Sequence, residues 1–167
     1  LDDHRPGRAG AHNSRDPVIR DFFALPSGPT PVASGRMRLL SFEAITDALE
    51  KATVRYLVAG GLAVNAHGYL RFTKDVDLVI QLESGNLRRA LAALGTLGYR
   101  PAIPVSLDQF VDAGQRESWA RDKGMQVFQL WSDTHPETSV DVFVTEPFNF
   151  DEEYARAVVK PLRDDLP

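Results

Sequence analysis

The chain has 167 residues, 43% of them apolar and 25% charged, the size and balance of one soluble globular domain. Its net charge of −4 argues against a scaffold that coats nucleic-acid phosphates non-specifically, and the absence of cysteine leaves no disulfide framework and no thiolate metal site. No run approaches the roughly 18 apolar residues of a membrane span, and the opening LDDHRPGRAG lacks the apolar middle of a signal peptide, so a cytoplasmic protein with no membrane partner is expected.

Residues 1–36 hold five prolines and four glycines and show no sustained periodicity, so a disordered leader is expected there. Within it, Val18 to Phe23 is the exception, expected to form a helical turn or to dock loosely. Met37 stands where organised sequence begins and is the expected native start of a domain over 37–167. Ser41 can cap a helix whose Phe42, Ile45, Ala48 and Leu49 share a face. Val54 to Ala59 reads as a strand, and Leu62 to Ala66 as a short helix opening after Gly60 and Gly61. Lys74 to Leu82 is a second strand, closed by a turn at Glu83–Asn86. Asn86 to Leu97 places Leu87, Leu91, Leu94 and Leu97 on one helical face, with Gly98 just past its end. Prolines interrupt 101–107; a helix is predicted over Asp108–Arg121, strands over Met125–Trp131 and Ser139–Thr145, and a helix over Asp151–Val159. The short polar connection 132–138 predicts an antiparallel hairpin. The expected fold is α/β (α+β), a small mixed sheet with helices mainly on one face.

The chemistry concentrates between Leu57 and Ile80. Side chains alternate along a strand, so Asp75 and Asp77 project to one face while Val76, Leu78 and Ile80 project to the other. Their attachment points lie about 6.6 Å apart, and two such charges repel by about 2.5 kcal/mol at an effective dielectric near 20. A buried strand does not carry that repulsion without a counter-charge. Asp141 repeats the feature between Val140 and Val142. A single strand aspartate is ordinarily a solvated face residue; three of them after a Gly-Gly turn suit Mg²⁺ or Mn²⁺, which take a few carboxylates and keep positions open for phosphate and water. Glycines let backbone N–H groups approach a phosphate at a helix N-terminus. An EF-hand is excluded because Ile80 stands where its glycine belongs, and neither a P-loop nor a three-glycine dinucleotide fingerprint is present. His67 and His135 lack metal-ligand spacing.

The segment GGLAVNAHGYLRFTKDVDLVI, with its pattern GGxAxxxHGxxRxTxDxD, followed by Asp141 on a later strand, resembles the nucleotidyltransferase superfamily (polymerase-β-like fold). It is closest to the AbiEii/MenT group of toxin nucleotidyltransferases and their relatives, over about 37–160. The resemblance implies that Asp75, Asp77 and Asp141 are catalytic metal ligands for two Mg²⁺ (or Mn²⁺) ions. It makes Gly60 and Gly61 the holders of the NTP triphosphate, with Arg71 or Lys74 neutralising developing charge. The implied reaction moves a nucleoside monophosphate from an NTP to a hydroxyl of tRNA or protein, with a cognate antitoxin as partner. A small-molecule acceptor of the aminoglycoside type, and a non-catalytic nucleotide-binding protein of the same fold, are the alternatives. Two features depart from the family: Gly61 stands where serine is common, and the sequence stops at PLRDDLP where such proteins usually continue into a C-terminal helical region, as expected of a fragment or a minimal form.

Overall fold

The computed structural model describes residues 18–21, 36–60 and 75–161. The strands are β1 (Val18–Asp21), β2 (Tyr56–Ala59), β3 (Asp75–Ile80), β4 (Arg100–Pro101), β5 (Val127–Trp131), β6 (Ser139–Phe143) and β7 (Val158–Pro161). They form one mixed sheet in the order β4-β5-β6-β3-β2-β1-β7. The body of the sheet is β4-β5-β6-β3-β2, and β1 and β7 extend its β2 edge. The β5–β6 pair is the antiparallel hairpin expected from the short connection, β2 is antiparallel to β3, and β3 runs parallel to β6. That parallel pairing between strands distant in the chain joins the two acidic segments.

The described helices are α1 (Arg36–Lys51), α2 (Ser84–Thr96), α3 (Leu107–Val111), α4 (Ala113–Lys123) and α5 (Phe150–Arg156). The first four supply the main core: Phe42, Ile45 and Leu49 from α1, Leu87, Leu91 and Leu94 from α2, Phe110 from α3 and Trp119 from α4. These pack on Val76, Leu78, Ile80, Val140 and Val142, the inward residues of β3 and β6. Among the described helices only α5 lies on the opposite face, where Phe150 joins Leu57, Ala59 and Val79 in a smaller cluster. Arg55 pins it there, pairing with Asp151 at 2.8 Å and lying 4.6 Å over the Tyr154 ring.

Several boundaries differ from the sequence reading. Val18–Asp21, expected as a helical turn or a loosely docked stretch, is a strand, paired with β2 on one side and with β7 on the other. The remainder of the expected disordered leader, apart from Arg36, lies outside the described residues, as does the predicted helix over 62–66. Helix α1 starts before Ser41, which is buried inside it and contacts His135 instead of capping. The predicted helix over 108–121 is two, because Asp112 leaves helical geometry and its carboxylate caps α4 through the Gln115 N–H. The last helix stops at Arg156, and the chain re-enters the sheet as β7.

Two buried polar groups tie the layers together. Asn86 accepts from the Arg55 N–H at 2.9 Å and donates to the carbonyls of Arg55 and Gln81 at 3.0 Å each, locking α2 to the ends of β2 and β3. Asn86→Asp turns a donor pair into an acceptor facing two carbonyl oxygens. We expect a loss of about 3 kcal/mol, measured by urea denaturation. Tyr99, also buried, donates to the Thr138 carbonyl at 2.9 Å, and burial pushes its hydroxyl up to about 12. A folded value above the ordinary one of about 10 gives stability that is complete below pH 10 and lost as pH rises towards 12. Tyr99→Phe should therefore be about 1 kcal/mol less stable than wild type at pH 7, with the gap closing above pH 10 in denaturation curves taken across that range.

Candidate functional site

The strand register assembles the site. Asp77 of β3 has Ala59 of β2 on one side and Asp141 of β6 on the other, and Asp141 in turn faces Gln129 of β5. One row across four strands thus runs Gln129, Asp141, Asp77, Ala59. In the neighbouring row Ser139 pairs with Asp75. Adjacent strands are about 4.8 Å apart, so the two central carboxylates are held as direct neighbours. Both acidic strands alternate between half-buried and buried residues, which puts Asp75, Asp77, Ser139 and Asp141 on the face opposite the main core.

Glycine is required where β2 ends. Gly60 has φ of +64°, a conformation disfavoured for side-chain-bearing residues, and a Cβ there would lie 1.9 Å from Asp77 Oδ2. The Asp77 carboxylate fills the volume that a residue-60 side chain would need. The sequence reading gave Gly60 a phosphate role only; the structure gives it a second one, as the floor on which Asp77 rests.

The remaining carboxylates have distinct surroundings. The Ser139 hydroxyl donates to Asp75 Oδ1. Burial pushes the Asp141 carboxyl up from the usual carboxylate range, a hydrogen bond from the Gln129 side chain opposes this, and the charge of Asp75 adds to the rise. Asp141 Oδ1 is buried and finds no hydrogen-bond partner among the described residues. A buried, partnerless carboxylate oxygen beside two further carboxylates is costly in isolation and is the donor chemistry that a hard divalent cation takes. The residues fit such an ion in donor type. They are not drawn together into a ligand set, since among the described residues no group of three or more His, Asp or Glu is close enough to hold a metal ion.

Of the residues singled out from the sequence, Asp75, Asp77, Asp141 and Gly60 come together, whereas Gly61, His67, Arg71 and Lys74 lie outside the described residues. Gln129 and Ser139 escaped the sequence reading. Ser139 was accessible to it, being two residues from Asp141 on the same strand face; Gln129 needed the hairpin register.

Beside Asp75 a pocket of about 270 Å³ opens, walled by Trp131, His135, Glu137 and Ser139. It lies on the β6 side of the carboxylates, away from Gly60. Comparison with protein-family models, curated proteins and solved structures gave no significant match. Among the described residues no helix is long and apolar enough to cross a membrane.

Proposed function

We propose that the protein is a divalent-metal-dependent nucleotidyltransferase that transfers a nucleoside monophosphate from an NTP to a hydroxyl acceptor, releasing pyrophosphate. The observation that carries this reading is the registered pair Asp77–Asp141 on parallel strands, with Asp75 on the same face, Gly60 pressed against Asp77 and an orphaned oxygen on Asp141. Asp75, Asp77 and Asp141 would hold Mg²⁺ or Mn²⁺, which supplies charge neutralisation for the phosphates. Gly60 and Gly61 would hold the triphosphate as the GGxAxxxHG motif implies, and Arg71 and Lys74 follow closely enough in sequence to add positive charge. Ser139 and Gln129 orient the carboxylates by hydrogen bonding. The narrower reading, a toxin acting on tRNA or protein and restrained by an antitoxin, rests on the GGxAxxxHGxxRxTxDxD motif alone.

The test is incubation of the chain with radiolabelled NTPs, Mg²⁺ and cell extract, comparing wild type with Asp77→Ala and checking both for folding by circular dichroism. Label should move to an acceptor with wild type and fall by about 10³-fold or more with the variant, the scale of several kcal/mol of lost charge stabilisation. Folded wild type that moves no label from any NTP would reduce the protein to a nucleotide-binding relative of such enzymes.

A further inference from the structure

The polar turn between β5 and β6, residues 132–138, is the kind of segment that is ordinarily solvated and mobile. Here it is held from the helical side of the sheet. Gly98, at φ +80°, turns the chain off the end of α2, and the Tyr99 N–H bonds back to the Leu94 carbonyl at 3.2 Å. With its backbone fixed there, Tyr99 makes two contacts to the turn: its hydroxyl donates to the Thr138 carbonyl at 2.9 Å, and its ring stacks in parallel on His135 at 5.7 Å. His135 Nδ1 lies 2.9 Å from the Ser41 hydroxyl of α1. The Ser132 hydroxyl donates to the Leu97 carbonyl at 2.8 Å, and the Thr138 N–H closes the turn on the His135 carbonyl at 3.0 Å. Tyr99, Ser132 and Thr138 are all buried, so water does not compete for these bonds.

One of the bonds leads to the carboxylates. The Thr138 carbonyl and the Ser139 N–H belong to the same peptide unit, which is planar and ends on the Ser139 Cα. Holding that oxygen therefore fixes the plane from which the Ser139 side chain departs. Ser139 opens β6 opposite Asp75, and its hydroxyl donates to Asp75 Oδ1. Tyr99 belongs to the main core, on the other side of the sheet. Two hydrogen bonds joined by one rigid peptide thus connect the helical layer to Asp75. Phenylalanine would fill the same core volume; what the hydroxyl adds is the bond to this peptide.

We infer that Tyr99 is a positioning residue for the carboxylate site, acting through the Thr138–Ser139 peptide to aim the Ser139 hydroxyl at Asp75. The relay rests on the hydrogen bonds and the strand register; that it serves a metal ion rests on the transferase reading. Ser139 is the last link, so a change at Tyr99 reaches Asp75 only while the Ser139 hydroxyl is present.

NMR of the full chain with ¹³C-labelled aspartate, without metal, reads the relay at the Asp75 carboxyl carbon, whose chemical shift follows the hydrogen bonds the carboxylate accepts. Asp75→Asn identifies the signal by its loss. Ser139→Ala removes the last link and should move the signal. Tyr99→Phe, which keeps the ring and its stack on His135, should move it in the same direction by less, and adding it to Ser139→Ala should move it no further. Ser106→Ala removes the cap of α3, a comparable loss of stability elsewhere, and should leave the signal in place. The inference is overturned by a signal indifferent to Ser139→Ala or to Tyr99→Phe, by one that Tyr99→Phe moves equally with and without the Ser139 hydroxyl, or by one that Ser106→Ala moves as far. Calorimetric titration with Mn²⁺ separates the relay from the transferase reading. Ser139→Ala should weaken Mn²⁺ binding about tenfold, and Tyr99→Phe about threefold, the latter only where Ser139 is present. A coupled Asp75 signal in a chain that binds no Mn²⁺ keeps the relay and removes its metal role. Mn²⁺ bound equally by wild type and Tyr99→Phe, with no coupling at Asp75, keeps the metal site and removes the relay.

Discussion

Asp141→Asn is expected to make the metal-free protein more stable while removing the proposed transferase activity. The carboxylate is half-buried, keeps one oxygen without a partner, and feels the charge of Asp75; the amide has nearly the same shape and carries no charge. Gln129 can present either end of its own amide, so the hydrogen bond across the β5–β6 pair survives the change. Relief of desolvation and repulsion should contribute about 1 kcal/mol, a rise of about 2–4 °C in Tm for a chain of this size. The proposed nucleotide transfer should fall by about 10³-fold, roughly 4 kcal/mol of lost transition-state stabilisation. Differential scanning calorimetry with and without Mg²⁺ provides a readout independent of turnover. Under the proposed metal-binding reading, an ion at 100 times its Kd would stabilise wild type by about 2.7 kcal/mol, and the variant should lack most of that increment. A variant that melts lower than wild type without metal would mean that Asp141 is a structural hydrogen-bonding residue and not a strained ligand.

Gly60→Ala should damage both stability and function, for two separable reasons. The backbone at φ +64° costs a side-chain-bearing residue about 1–2 kcal/mol by itself. The added Cβ would also stand 1.9 Å from Asp77 Oδ2, so the carboxylate must move. Under the proposed reading Asp77 is a metal ligand, and displacing a group at the reacting centre by about 1 Å costs on the order of 10²-fold in rate. A double-mutant cycle isolates the two parts. With Asp77→Ala the nearest remaining contact is the residue-77 Cβ at 3.2 Å, a tight but tolerable approach. Gly60→Ala in that background should then show only the backbone cost in urea denaturation. Equal costs in both backgrounds would show that Asp77 yields freely and that Gly60 does not set its position.

These two residues also mark where sequence reasoning stopped. That Asp75 and Asp77 share a strand face follows from the two-residue period of a strand, a local property legible in DVDLVI. The same local logic predicted the β5–β6 hairpin from a short polar connection, and the leucine face of α2. Long-range pairing is not written in any one segment. Nothing in SVDVF states that it lies parallel to DVDLV, with Asp141 opposite Asp77, since the partner is selected by the burial of Val76, Leu78, Val140 and Val142 under helices from elsewhere in the chain. Likewise Ser41 reads as a cap locally, and only packing turns it inward to hold His135.

The sequence by itself determined the chemical inventory: a glycine pair, three aspartates set in apolar strands, and a chain of single-domain size without cysteine. Tertiary structure decided which of these meet. It set Asp141 beside Asp77 and laid Asp77 on Gly60. It also joined Trp131, His135 and Asp75 around one pocket. The reason is physical: alternation and capping depend on neighbours a few residues away, whereas register and pocket shape depend on which faces the whole chain can bury together.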